Sequence, residues 1–102
     1  MGSLRVDVDG HYVFVKETEV HVSATEMRLL VYLIEAGGRE CGRGELLQAV
    51  WGYGPGTSTR TLETHIKRLR DKLREAGPFL ETVRGLGYRV VGARPILING
   101  LL

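Results

Sequence analysis

Apolar and polar positions alternate along this chain first in steps of two, then in steps of three and four. Residues 4–8 (L-R-V-D-V) alternate as a half-buried strand does, and the Asp9-Gly10 pair after them is a turn signal. Residues 12–15 and 20–22 supply two more short strands, which predicts a small antiparallel sheet acting as scaffold. From Ser23 the period lengthens. Ser23 and Glu26 have capping-box spacing, Met27, Leu30, Val31 and Ile34 make an apolar helix face, and Gly37 and Gly38 stop the helix. Residues 43–50 predict a short second helix capped by Gly42, and the Gly-rich, uncharged stretch 52–58 reads as a loop. Over 59–76, Leu62, Ile66, Leu69 and Leu73 recur at steps of four, three and four, giving a third helix ended by Gly77-Pro78. Residues 79–91 read as strand, turn and strand, with Gly85 and Gly87 in the turn. The fold expected is α+β: an N-terminal antiparallel sheet, a three-helix core and a C-terminal β-hairpin, over residues 4–92.

The third helix has two unlike sides. At about 100° per residue, Arg60, Thr64, Lys67 and Asp71 fall opposite the leucine stripe, with Arg68 on one flank. An apolar back and a basic front of this width suit the major groove of DNA, which admits one α-helix and offers guanine acceptors to Arg and Lys. A solvated helix with ordinary surface charge has the same pattern. The hairpin behind it separates the two readings. It carries Thr82 and Arg84 just before its turn and Tyr88 and Arg89 just after, the layout of a winged helix whose wing reaches flanking backbone or minor groove.

Composition narrows the classes. The chain has 102 residues, enough for one domain with a single core. Its one cysteine, Cys41, forms no internal disulfide, and one Cys with three scattered His makes no four-ligand zinc site. No nucleophile, base and orienting group stand together and no phosphate-binding Gly loop occurs, so neither an enzyme nor a cofactor is expected. No apolar run approaches the ~20 residues of a membrane span and no secretory signal is present, which leads us to expect a cytoplasmic protein. The net charge of +2 is modest. Its distribution says more: residues 1–58 hold 5 basic and 8 acidic side chains, residues 59–102 hold 9 basic and 4 acidic. The positive charge lies on the third helix and hairpin, as an electrostatic footprint for nucleic acid does.

Four segments in order resemble the OmpR/PhoB-type effector domain of bacterial response regulators. Residues 23–30 (S-A-T-E-M-R-L-L) resemble its first helix, 45–52 (E-L-L-Q-A-V-W-G) its second, 60–73 (R-T-L-E-T-H-I-K-R-L-R-D-K-L) its recognition helix and 81–89 (E-T-V-R-G-L-G-Y-R) its wing. Two departures are mild. Ala24 stands where the family has Pro, and Gly42 where it more often has Ser; the first helix keeps its cap. The resemblance implies a winged helix-turn-helix that binds specific double-stranded DNA for a transcription regulator of a two-component phosphorelay. It also implies tandem direct half-sites, dimers formed on DNA, and a contact of loop 52–58 with RNA polymerase, assigned to no one residue. The chain has no room for a receiver domain, so it is expected to be an excised effector domain, a regulator working without phosphorylation, or the N-terminal reader of a one-component sensor.

On this reading Arg60, Thr64, His65, Lys67 and Arg68 are the candidates for base contact, with His65 equally suited to phosphate. Thr61 and Arg70 point sideways and suit phosphate, as does Thr82 in the wing. Arg84 suits a narrow minor groove. Trp51 is expected to bridge the second and third helices, and its indole N–H can donate to phosphate. Residues 1–3 read as a cloning scar and 93–102 as an apolar tail, expected to dock on a strand edge of the wing or of the N-terminal sheet, on its own body or on a second copy. That tail and the modest net charge support the alternative, a winged helix repurposed for protein–protein contact.

Overall fold

The structure is a computed structural model that describes residues 4–7, 12–52, 54 and 57–91, together with the backbone of 96–98. The elements follow as β1 (Leu4–Asp7), β2 (Tyr12–Val15), β3 (Thr18–His21), α1 (Ala24–Glu35), β4 (Cys41–Gly42), α2 (Arg43–Trp51), α3 (Thr59–Lys72), a 3₁₀ segment (Arg74–Phe79), β5 (Leu80–Val83), β6 (Gly87–Val90) and β7 (Ile96–Ile98). They form the expected α+β winged-helix arrangement. The Asp9-Gly10 turn, residues 1–3, and parts of loop 52–58 and of the tail lie outside the described residues.

β1, β2 and β3 make an antiparallel meander, and β7 joins it in parallel on the free edge of β1, giving the order β3-β2-β1-β7. Leu4, Val6, Val13, Val15 and Val20 are buried on its inner face, as the period-two pattern requires. The third strand starts earlier than expected, at Thr18, because a turn at Lys16 (φ 58°) brings Thr18 opposite Val15.

Ser23 and Glu26 form the expected capping box: Ser23 Oγ accepts the Glu26 N–H at 3.1 Å, and Glu26 Oε1 accepts the Ser23 N–H at 2.8 Å. The buried face of α1 keeps Met27 and Leu30 as expected but is shifted toward Leu29 and Leu33. Leu29, Leu30 and Leu33 are fully buried, whereas Val31 and Ile34 are only partly so. The helix packs on α2, α3 and β6 together, so its apolar arc follows three neighbours and not one stripe. α2 runs one residue further than expected, through Trp51, and stops at Gly52 in the left-handed conformation (φ 68°).

α3 buries Leu62, Ile66 and Leu69, and Leu73 just beyond it, as the stripe requires. It ends at Lys72, short of the expected 76. The chain turns at Arg74 (φ 53°) and continues as 3₁₀ helix through Phe79. Gly77 explains the tighter path: a Cβ there would meet the Arg70 carbonyl oxygen at 2.7 Å. Pro78 has no N–H to continue an α-helix.

The hairpin β5–β6 gains a third strand, β4, in the order β4-β6-β5. Gly87 therefore belongs to β6 and not to the turn. It sits against β4 so closely that a Cβ would lie 2.0 Å from the Cys41 carbonyl oxygen. Gly85 alone supplies the turn's positive φ (79°).

Candidate nucleic-acid interface

α3 presents the face opposite its buried stripe to solvent. Arg60, Thr64, Lys67, Arg68 and Asp71 are all exposed. Ser58 caps the helix, its Oγ accepting the Thr61 N–H at 3.3 Å. The flanks carry the remaining candidates, and these are tied down.

On one flank His65 is half-buried. Its Nδ1 donates to the Thr61 carbonyl at 2.8 Å, since a carbonyl can only accept, and this bond fixes the orientation of the ring. The ring stands edge-on to Trp51, centroids 5.1 Å apart. Trp51 closes α2 and packs against the core, bridging the second and third helices as expected.

On the other flank Arg70 reaches β5. Its Nε donates to the Leu80 carbonyl at 3.0 Å and a second guanidinium nitrogen to Thr82 Oγ1 at 2.9 Å. Two residues that the sequence suggested as separate phosphate contacts are thus each other's partners. Twelve residues separate them, beyond the reach of any periodicity argument.

The wing turn is held from two sides. Leu86 N–H donates to the Val83 carbonyl at 3.0 Å, and the Arg43 N–H donates to the Leu86 carbonyl at 3.2 Å. Tyr88 is buried beneath it with the Arg43 guanidinium 5.7 Å from its ring centre; burial pushes its phenol pKa up. Arg89 pairs with Glu81 at 2.7 Å and with Glu40 at 3.6 Å, leaving it committed across the hairpin. Arg84 is exposed in the turn. Sequence reasoning passed over Arg43, although a cation in the first turn of a helix opposes the helix dipole and so signals another role.

The cations therefore sort into two sets. Lys16, Arg39, Arg70, Lys72 and Arg89 have intramolecular partners. Arg28 donates to the Val50 carbonyl, and Arg5 and Arg43 lie over the rings of Phe14 and Tyr88. Arg60, Lys67, Arg68, Arg74 and Arg84 have no side-chain hydrogen bond, ion pair or ring contact among the described residues. All of this last set but Arg74, which stands at the start of the 3₁₀ segment, lie on the outer face of α3 and in the wing turn. Among the described residues no group of His, Cys, Asp and Glu has the makings of a metal site, and no helix is long and apolar enough to cross a membrane.

Comparison with known proteins decides what this arrangement is. The family model described as "Transcriptional regulatory protein, C terminal" matches residues 17–90. The chain belongs to this family. It is a DNA-binding effector domain of the OmpR/PhoB response-regulator type, from a non-enzymatic family of transcriptional regulators. It is 44% identical over 94 residues to the sensory transduction protein RegX3 of Mycolicibacterium smegmatis, a match covering 89% of this chain and 41% of that protein. It is 43% identical over 89 residues to the transcriptional regulatory protein CseB of Streptomyces coelicolor, covering 87% and 37%. The chain thus spans about two fifths of the curated relatives it matches. Among solved structures, the DNA-binding domain of the response regulator AdeR, determined in complex with an intercistronic region, superposes with a TM-score of 0.75 at 29% identity, covering 88% of this chain and 95% of that one. The response regulator DrrB of Thermotoga maritima, an OmpR/PhoB homologue, superposes with a TM-score of 0.79 at 32% identity, covering 90% and 43%.

Proposed function

We propose that this effector domain reads specific double-stranded DNA with α3 in the major groove and the β5–β6 hairpin on flanking backbone or in the adjacent minor groove. The observation that carries this reading is the sorting of the cations. Four of the five arginines and lysines that have no hydrogen bond, ion pair or ring contact among the described residues stand on the outer face of α3 and in the wing turn, where phosphates and base edges supply acceptors; the fifth, Arg74, stands at the start of the 3₁₀ segment. Arg60, Lys67 and Arg68 donate to guanine O6 and N7, and Thr64 meets a thymine methyl. His65, with Nδ1 engaged by Thr61, suits a base edge or a phosphate through Nε2. Thr61, Thr82 and the Trp51 indole N–H suit phosphate oxygens, and Arg84 a narrow minor groove. Asp71 sits toward the C-terminal end of α3, away from the turns that reach base edges.

The family likeness supports tandem direct half-sites, a dimer assembled on DNA, and regulation within a two-component phosphorelay through a receiver. A cytoplasmic site of action follows from a chromosomal partner. A contact of loop 52–58 with RNA polymerase remains a proposal with no residue assigned to it.

The test is selection of duplexes from a random-sequence pool, followed by titration of the selected duplex at two salt concentrations. Binding through several phosphates weakens steeply with salt, with a slope of about −0.9 per phosphate neutralised. A pool that enriches no sequence, or binding indifferent to salt, overturns the reading and favours the protein–protein alternative.

A further inference from the structure

We infer that Arg70 is a positioning residue for DNA recognition: it moors the wing to the recognition helix and does not itself hold a phosphate. The inference rests on the DNA-reading function proposed above. The two reading elements are joined in sequence only by the 3₁₀ segment Arg74–Phe79. Arg70 adds a direct bridge. One guanidinium donates to two acceptors on the same strand, Leu80 O at 3.0 Å and Thr82 Oγ1 at 2.9 Å. Its stem is backed by Gly77, where a Cβ would fall 3.2 Å from Arg70 Cγ and 2.7 Å from its carbonyl oxygen. The fork is thus gripped at its head by β5 and along its stem by the 3₁₀ segment.

The chemistry of the bridge fixes a second feature. A guanidinium donates only, so Thr82 Oγ1 accepts from Arg70 and its own hydroxyl proton is left to point elsewhere. Arg70 thereby orients a donor two residues before Arg84. The spacing between the helix in one groove and Arg84 beside the next is set by a planar, two-pronged contact. Lysine, a point charge on a flexible stem, cannot reproduce it.

The discriminating variant is Arg70→Lys, measured on the duplex selected by the parent protein. A direct phosphate ligand tolerates lysine, because the charge is kept. A two-pronged mooring does not. We expect Arg70→Lys to weaken binding about tenfold, as Arg70→Ala does. We also expect Arg84→Ala to cost far less in the Arg70→Lys background than in the parent, because the wing is already mispositioned. Thr82→Val, which keeps every charge, repeats the test if Arg70→Lys folds poorly: it too should shrink the effect of Arg84→Ala, while Thr82→Ser, which keeps the acceptor, restores it. Arg70→Lys binding within about twofold of the parent overturns the inference. So does an Arg84→Ala penalty that is the same in the parent, Arg70→Lys and Thr82→Val backgrounds. Failure of the parent to select any duplex is a different result, and counts against the proposed function itself.

Discussion

Lys72, in the last turn of α3, places its ammonium 2.7 Å from Glu26 Oε1, the same oxygen that accepts the Ser23 N–H at the start of α1. Glu26 is 3% exposed. One buried carboxylate oxygen therefore fastens the C-terminal end of α3 to the N-cap of α1. A buried carboxylate needs this company, because removing it from water costs several kcal/mol unless its lone pairs are met.

Stability should fall in acid through this pair. Burial by itself pushes the Glu26 carboxyl up, but the hydrogen bonds from Lys72 and Ser23 and the Lys72 charge outweigh it and leave its pKa below the ordinary value. Glu45 is held down to about 2, first by hydrogen bonds from Arg39 and then from Tyr32. A carboxyl with a lowered folded pKa contributes stability that is complete above the ordinary value of 4.5 and is lost as pH falls through the folded value. Urea unfolding should therefore weaken between about pH 5 and pH 2. Lys72→Met should cost about 1–3 kcal/mol at neutral pH and shrink the acid loss. An unchanged acid limb in that variant would show that the pair contributes nothing to it.

Gly87→Ala should break the wing from the inside. The added methyl would lie 2.0 Å from the Cys41 carbonyl oxygen, and that atom is backbone in a paired strand and cannot swing away. The cost expected is about 3 kcal/mol or more, in the range of a backbone-level overpacking. Equilibrium denaturation measures it. Loss of less than about 0.5 kcal/mol would mean that β4 does not hold β6 in solution.

This contact also marks where sequence reading stops. Local signals carried far: the Ser23 and Glu26 spacing, the stripe Leu62, Ile66, Leu69 and Leu73, and the order of helix and hairpin all have a period or a cap that one stretch of chain contains. The two-residue strand Cys41–Gly42 has none, and Gly87 looks like a turn glycine until its distant neighbour is known. The buried face of α1 is legible only in part for the same reason: Met27 and Leu30 lie on it as their spacing predicts, but Leu29 and Leu33 are buried against elements that lie elsewhere in the sequence. The exposed face of α3 is legible because exposure is the complement of the stripe. The Arg70–Thr82 bond was not, because nothing in either residue's surroundings names the other.

Arg68→Ala should relax base preference and cost about 1–3 kcal/mol on the selected site. Arg68 is exposed on α3 and has no partner of its own among the described residues, so no fold contact is lost with it. The measurement is an affinity series over single-base variants of the duplex. A uniform loss across the series, with the order of preference intact, would assign Arg68 to phosphate.

Arg84→Ala should weaken binding to all sequences and lower the salt slope by about one counterion. The turn that carries it is held by the Leu86 N–H on Val83 and the Arg43 N–H on Leu86, so the side chain can change without moving the backbone. Should the variant bind like the parent at every salt concentration, the wing is scaffold only.

The C-terminal strand supplies the last prediction. Ile96–Ile98 pairs in parallel with β1, opposite Arg5, Val6 and Asp7, on an edge that the meander leaves open. The tail thus adds to the N-terminal sheet and not to the wing. Three residues form few ladder bonds, and ordering each residue of a chain end costs about 1–2 kcal/mol. The net contribution is therefore small, of order 1 kcal/mol, which in a domain of this size is about 4–8 °C of melting temperature. Cutting the chain after Val91 should lower the melting temperature by that amount and leave an open β1 edge. The cut protein should still sediment as a monomer at low concentration and show more self-association than the parent as concentration rises, because an unpaired strand edge recruits strands. If the same cut instead turns a concentration-dependent dimer into a monomer, the strand pairs between copies. Equal melting temperatures for the two forms would mean that β7 contributes nothing to the fold.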